Sequence, residues 1–487
     1  MTKEVRPELP GGLDALACLL LPPVCVGLIG WLYEADPITL AALVLAAVLS
    51  GPLCCAWLAR RRTDPLSVAV VFIVLIVLGY LLPLPSFLEG IDKASLFVGY
   101  VYHRKEEAVT RALWLAAGGS LAFLIPLVCF RVASPTPEAE RDAAPVVWSA
   151  DRLRTVGILY TVTAVVMFLI GVVIIGGPAA LLAAQSDRLR AFSGINFLLY
   201  AVQLCPIFAL LWWMWMIASG VRPGLRFWIY VLLSFGVCAL EGSKLIIVLM
   251  LMAGVYIYHV RVRPFKARYL AIAGFLTLVG ASAYDLYFRE YAVNHEIASI
   301  DLNVPIQNKA MLLADRALGG QFIQIQMLSI IVDGTPGLFE YEHGATFIHA
   351  VTFIVPRALW PDKPTTNAGR FAETLRPDIV EQGTTFPPSM MGEFYWNFGD
   401  VGVIVGMLAV GCMYRGAERA MLARPRDPCV ALPCAFFWSL LIVGIRGSLP
   451  DIIAQGVFFI LPAYFAARYV VRPRRIIHSF NGIHYPT

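Results

Sequence analysis

Apolar runs long enough to cross a bilayer recur through this chain, and they leave it few ways to fold. A helix needs roughly 20 apolar residues to cross about 30 Å of hydrocarbon. In that medium the backbone polar groups must be satisfied within the helix itself. Runs of this kind lie near 13–33, 38–58, 65–87, 109–130, 155–176, 195–218, 269–288, 397–414, 429–445 and 452–467. A further run, 227–260, is too long for one span and is interrupted by Glu241, Gly242, Ser243 and Lys244. It reads as two short helices meeting at a polar turn. The alternative is one long tilted helix that buries a Glu–Lys pair, which is expensive. The expectation is an all-α polytopic membrane protein of about twelve spans. Composition agrees, with 59% hydrophobic and 15% charged residues and a mean hydropathy of +0.72.

Basic residues orient the chain, because cytoplasmic loops carry an excess of Lys and Arg. One alternating set of loops holds 23 of the 38 basic residues, including Arg60–Arg62, Arg152, Arg154, Arg222, Arg226, Arg261, Arg263, Arg415, Arg419, Arg468 and Arg472. That set is expected to be cytoplasmic, with both termini on the same side. The first apolar run is long enough to span and is followed at once by another, so it reads as a retained helix rather than a cleaved signal. The ten cysteines all fall in or beside the apolar runs, with no disulfide framework and no zinc spacing. A net charge of +5 follows from topology and points to no nucleic-acid partner. The mixed-charge segment 131–154 reads as a linker.

Three parts are therefore expected: 1–288 with nine spans, a polar insert at 289–396 on the periplasmic side, and 397–487 with three spans and a cytoplasmic tail. The stretch from Ala310 to Val332 is amphipathic and is expected to lie flat at the interface. A Gly/Pro turn follows at 333–337, and the short apolar segment 349–356 is expected to re-enter the membrane edge. Next comes Pro356-Arg357-Ala-Leu-Trp360-Pro361-Asp362-Lys363-Pro364, whose prolines fix an extended backbone and display Arg357, Trp360 and Lys363 in a set geometry. The insert closes with Gly392-Glu393-Phe394-Tyr395-Trp396-Asn397-Phe398-Gly399. Rings beside a carboxylate and an amide suit a carbohydrate site, with Trp360, Tyr395, Trp396 and Asn397 as glycan contacts. An interfacial aromatic belt would present the same rings.

Lys244, Arg289 and Arg446 sit at the outer ends of spans, against the positive-inside tendency, so each needs a reason. With Arg316, Arg357 and Lys363 they make a candidate pocket for a strongly anionic group such as a diphosphate, which suits the planar fork of Arg. Pairing with Glu241, Glu290, Asp362 or Asp451 is the competing explanation for each residue alone.

Taken together, Glu241-Gly-Ser-Lys244, the Pro356–Pro364 segment, Gly392-Glu393-x-Tyr395-x-Asn397-Phe398-Gly399 and Arg446-Gly447-Ser448 resemble the Wzy-type oligosaccharide repeat unit polymerases, also called O-antigen polymerases. The resemblance covers most of the chain, and the proline-rich segment is its most specific piece. It implies a GT-C-like membrane glycosyltransferase of the bacterial inner membrane, with its active site facing the periplasm. That enzyme would transfer a growing glycan from undecaprenyl diphosphate to the non-reducing end of a new lipid-linked repeat unit.

By the same resemblance Lys244, Arg357, Lys363 and Arg446 bind the leaving diphosphate. Glu393 is the best-placed base for the acceptor hydroxyl, with Glu241 and Asp451 as alternatives. Lys244 departs from the Arg expected at that turn, keeping the charge without the fork. The implied partners are the lipid-linked oligosaccharide, membrane lipid, a chain-length regulator and a flippase. No cofactor is expected. The short Glu34-x-Asp36 loop is a weak match to metal-dependent relatives, and no metal is expected. An O-antigen ligase shares these features. A lipid-linked oligosaccharide flippase would instead place charges along a path through the bilayer.

Overall fold

Apolar periodic sequence becomes helix almost everywhere it is described. The computed structural model describes residues 12–58, 63–89, 100, 102–130, 146–183, 198, 200–240, 244–283, 322–352, 355, 360, 367–377 and 386–473. In chain order these form α1 (Gly12–Leu32), α2 (Pro37–Leu58), α3 (Val68–Ile76, continued by a π turn Val77–Leu81), α4 (Leu84–Glu89) and α5 (Lys105–Cys129). A short strand β1 (Val146–Trp148) leads into α6 (Ala150–Ile175), α7 (Pro178–Ala183), α8 (Leu204–Ser219), α9 (Leu225–Leu240), α10 (Lys244–Arg261) and α11 (Ala267–Ala283). Then come α12 (Gln324–Gly334), α13 (Ala345–Thr352), α14 (Asn367–Leu375), α15 (Met390–Ala423), α16 (Pro428–Ser439), α17 (Leu441–Arg446), α18 (Leu449–Val470) and β2 (Val471–Pro473).

Eight helical segments among the described residues are long and apolar enough to cross a membrane. The protein is accordingly a multi-pass α-helical membrane protein. Four shorter apolar helices, Val68–Leu81, Leu225–Cys238, Leu245–Arg261 and Ala267–Thr277, occupy other expected runs. The run 227–260 divides into α9 and α10, and Glu241 lies outside the described residues. The outward faces are apolar: Trp31, Val173, Leu232 and Val401 are each at least 70% exposed. Exposed apolar surface on this scale is what hydrocarbon covers.

Packing centres on α5, which lies against α15, α2 and α12. Phe123 on α5 stacks on Phe72 with ring centroids 3.9 Å apart and leans on Tyr414, which in turn stacks on Phe437. Lipid gives helices no hydrophobic drive to associate, so small residues that permit close backbone approach matter most. At Gly411 an added Cβ would collide with the backbone carbonyl of Phe123. Gly411→Ala should therefore push α15 off α5 and cost about 1–3 kcal/mol, the usual range for overpacking. Thermal unfolding in detergent reads this out, and an unchanged midpoint would mean that α15 shifts without loss.

Polar contacts collect in two groups. In the first, the Arg-dense segments meet one another. His259 Nε2 lies 2.9 Å from Asp64 Oδ1. Arg415 donates to the Phe130 carbonyl and pairs with Glu418 at 2.6 Å, while Glu418 accepts the Val68 N–H. β1 and β2 pair antiparallel with Val147 opposite Arg472, so residues 146–148 of the expected linker form a strand and 150–154 begin α6. In the second group, the insert meets the residues leading into α5 and the start of that helix. The first group joins segments expected on one side of the membrane, and the second joins segments expected on the other.

Two expectations change in the insert. Residues 310–321 lie outside the described residues, but α12 is no surface helix: Gln324–Val332 and Gly334 are all buried. Its fully buried polar side chains, Gln324, Gln326 and Ser329, are uncharged. Ser329 Oγ bonds within the helix to the Ile325 carbonyl, and the one carboxylate, Asp333, is bonded by Tyr100, His103 and Arg104, so burial strands no charge. The span expected at 397–414 belongs to α15, which starts at Met390 and breaks at Phe398 and Gly399. Gly399 sits at φ 63°, ψ −151°, a conformation essentially reserved for glycine. The break makes Met390–Asn397 a separate, fully buried piece, with the membrane-length part following from Asp400.

Candidate functional site

The buried piece of α15 is built from its cap upward. Pro387 and Pro388 lead to Ser389, held at φ 67°, whose hydroxyl accepts the Gly392 N–H at 3.2 Å. Tyr80 of the π turn places its hydroxyl 3.5 Å from the same oxygen. Glu393 follows in the first turn, where the helix dipole favours a carboxylate.

Glu393 is fully buried. One carboxylate oxygen accepts from Asn367 Nδ2 at 2.5 Å and the other accepts the Leu449 N–H at 2.6 Å. Asn367 opens α14 and Leu449 opens α18. Glu393 therefore fastens three helix beginnings to one another. Leu449 comes straight after Arg446-Gly447-Ser448, where the chain breaks between α17 and α18 with Gly447 at φ −102°, ψ −126°. Two segments singled out in the sequence about 50 residues apart thus meet through one hydrogen bond. Arg446 is half-buried in the last turn of α17, where a cation is favoured.

One turn further on, Asn397 is also fully buried. Its Oδ1 accepts the Gly344 N–H at 2.8 Å, and its Nδ2 donates to Thr346 Oγ1 and to the Glu393 carbonyl. Trp396 Nε1 donates to the Glu340 carbonyl at 2.9 Å, and the ring packs on Phe339 and Phe371. Arg370 forks both oxygens of Glu342 at 2.9 and 2.5 Å, with its guanidinium 6.0 Å from the Trp396 ring. Tyr395 is buried beneath Arg111, which pairs with Asp400 at 3.1 Å on the surface.

This geometry corrects the glycan-contact reading of Tyr395, Trp396 and Asn397. Each is at most 3% exposed, so no ring face or amide is left for a sugar in this conformation. They position Glu393 and the 340–346 loop instead. Trp360, by contrast, is 40% exposed. Arg289, Arg316, Arg357, Lys363 and Glu241 lie outside the described residues. Of Lys244 and Asp451 only the backbone is described: Lys244 opens α10, and Asp451 stands two residues past Leu449 in the first turn of α18. Among the described residues no cluster of three or more His, Cys, Asp or Glu could hold a metal.

Residues not anticipated from the sequence complete the region. Asn367 is a helix-capping type after Thr365-Thr366, and that placement was its one local signal. Arg111, basic at the outer end of an apolar run, broke the positive-inside pattern as Lys244 and Arg446 did. Asp333 is the third. Its side chain accepts from Tyr100 Oη at 2.9 Å, from the backbone N–H groups of His103 and Arg104, and meets His103 Nδ1. It ties the insert to the start of α5.

Burial pushes the Asp333 carboxyl up, but the donors from His103, Tyr100 and Arg104 outweigh it, and the net displacement is downward. A depressed carboxylate stabilises the fold fully above its ordinary value, and that stabilisation fades as pH falls through the lower folded value. Asp333→Ala should cost about 1–2 kcal/mol, the scale of a lost cap, at neutral pH. The difference from wild type should start to shrink only below about pH 4 and be lost once pH has fallen through the lower folded value. Denaturation midpoints of both proteins across pH check this, and a difference that persists in acid would exclude the ionised cap.

A family model for a domain of unknown function (DUF8712) matches residues 224–420. The match runs from α9 into α15, so it takes in the insert and Glu393 but stops short of Arg446. No curated protein and no solved structure matches the chain.

Proposed function

We propose that this chain is a membrane glycosyltransferase that polymerises undecaprenyl-diphosphate-linked oligosaccharide repeat units. It is read as a GT-C-like protein of the bacterial inner membrane with about twelve spans, both termini cytoplasmic and the insert periplasmic. The single observation that carries the reading is the meeting of the Gly392–Gly399 and Arg446–Ser448 segments through Glu393 and Leu449. Their resemblance to the polymerases was noted from sequence, and their contact is independent of it. The two groups of polar contacts also support the orientation, since the Arg-dense segments gather apart from the insert.

In this reading the acceptor hydroxyl attacks the anomeric carbon of the growing glycan. The bond from that carbon to the diphosphate oxygen breaks, and the hydroxyl proton passes to a carboxylate. The diphosphate is already a good leaving group, so the protein's task is to neutralise its charge and hold two large lipid-linked substrates in line. Arg446 leads that neutralisation, with Lys244, Arg289, Arg316, Arg357 and Lys363 as proposed partners. General-base help adds about 10²–10⁴-fold. Glu393, buried with each oxygen already bonded, is suited to hold the site together, which moves Asp451 and Glu241 forward as bases. Trp360 is the proposed glycan contact that remains exposed. A chain-length regulator and a flippase are proposed partners.

The test is the glycan profile of a deletion strain, run as a gel ladder with lipid-linked intermediates extracted in parallel. Loss of the ladder, with single repeat units still on the surface lipid, is the expected result. Long chains accumulating on undecaprenyl diphosphate would make the protein a ligase, and an unchanged profile would remove both enzymes.

A further inference from the structure

Away from the insert, a cavity of about 530 Å³ opens between α6, α8 and α9. Phe208, Trp212 and Trp215 of α8 and Tyr230 of α9 line it, and Thr161 of α6 bonds to the Tyr230 hydroxyl at 2.9 Å across its floor. Around it, Ile158, Leu159 and Trp228 are each more than 55% exposed. The cavity therefore opens on an apolar surface of the kind that faces lipid, not water.

Its charge lies at one end. Arg154 lines the mouth, is exposed, and makes no hydrogen bond or ion pair with the described residues. It stands one turn into α6, directly after β1, on the side where the Arg-dense segments meet. Arg226 is also exposed and sits one helical turn before Tyr230 on the same face. From Arg154 to Thr161 the slot descends about 10 Å along α6 at the usual helical rise. A cationic mouth above an aromatic slot complements an amphipathic anion: a phosphate at the surface and a hydrocarbon chain below it.

We propose that this groove binds an anionic phospholipid of the leaflet on the Arg-dense side, with its phosphate at Arg154 and one acyl chain along the aromatic slot. The site is separate from the Glu393 region and does not depend on the proposed enzymatic activity.

Native mass spectrometry of the full-length protein in detergent tests this, with phosphatidylglycerol and phosphatidylcholine of identical acyl chains as probes. Wild type should retain phosphatidylglycerol preferentially. Arg154→Glu should lower that retention at least about fivefold, the scale of one basic residue at a lipid surface. Val162→Phe narrows the rim without touching charge and should lower retention of both lipids. Arg263→Glu, an exposed arginine at the same end but outside the groove, should change neither. Equal retention of the two lipids by wild type would overturn the proposal. So would equal losses in Arg154→Glu and Arg263→Glu, which would mean diffuse charge instead of a site.

Discussion

Glu393→Ala should destabilise the protein by about 2–4 kcal/mol, because a buried donor loses its acceptor at about 1–3 kcal/mol and a half-buried one at about 1 kcal/mol. The donors are the Asn367 amide and the Leu449 N–H, at 2.5 and 2.6 Å. Glu393 is fully buried, so its loss also leaves a cavity between the three helix beginnings. Glu393→Gln is the sharper variant. It keeps the shape and one acceptor oxygen but turns an NH₂ toward one of the two donors, so about 1–3 kcal/mol should still be lost. From sequence alone, Gln at this position would be expected to slow transfer while leaving lipid-linked substrate binding intact, as befits a base. The geometry predicts a lower melting midpoint together with lost product. Differential scanning fluorimetry beside the glycan ladder separates the two roles. A Gln variant with a wild-type midpoint and no product would return Glu393 to the role of base.

Arg446→Ala is expected to abolish long-chain product while the protein still accumulates in the membrane. Losing one preorganised donor from a group that carries developing negative charge typically costs about 10²–10³-fold in turnover, or roughly 2.7–4 kcal/mol. Arg446 is half-buried in the last turn of α17, and the chain breaks straight after it, at Gly447 and Ser448. The Glu393 bond to Leu449 then holds that break against α15. Arg446→Lys should retain part of the activity, since the charge stays but the bidentate fork goes. Membrane fractions blotted for the protein and run for the ladder give the answer. Normal chain lengths from Arg446→Ala would remove the diphosphate pocket from this end of the molecule.

The spans were legible because they depend on local composition. An apolar run of adequate length must close its own hydrogen bonds in lipid, whatever lies beside it. That is why α1, α2, α5, α6 and α16 appear close to where the hydropathy put them. The helices α9 and α10 within 227–260 were legible for the same reason, while residues 241–243 between them lie outside the described residues. The insert was not legible in this way. The stretch ending at Val332 has amphipathic composition, yet α12 is buried on all sides, because neighbours absent from the local sequence cover its polar face. Tyr395, Trp396 and Asn397 looked like a display of rings and amides, and burial makes them internal supports.

Taken alone, the sequence determined that this is a helical membrane protein, where most of its helices lie, and which segments carry excess positive charge. Each of these is set by residues within a few turns of one another. Only the tertiary structure decided that Glu393 bridges Asn367 and Leu449, that Asp333 caps the residues leading into α5, and that Gly399 splits α15. Partners 26, 56 and some 230 residues apart share no local signal. What selects them is the requirement that each buried polar group find a partner, and that can be met only once the helices are packed.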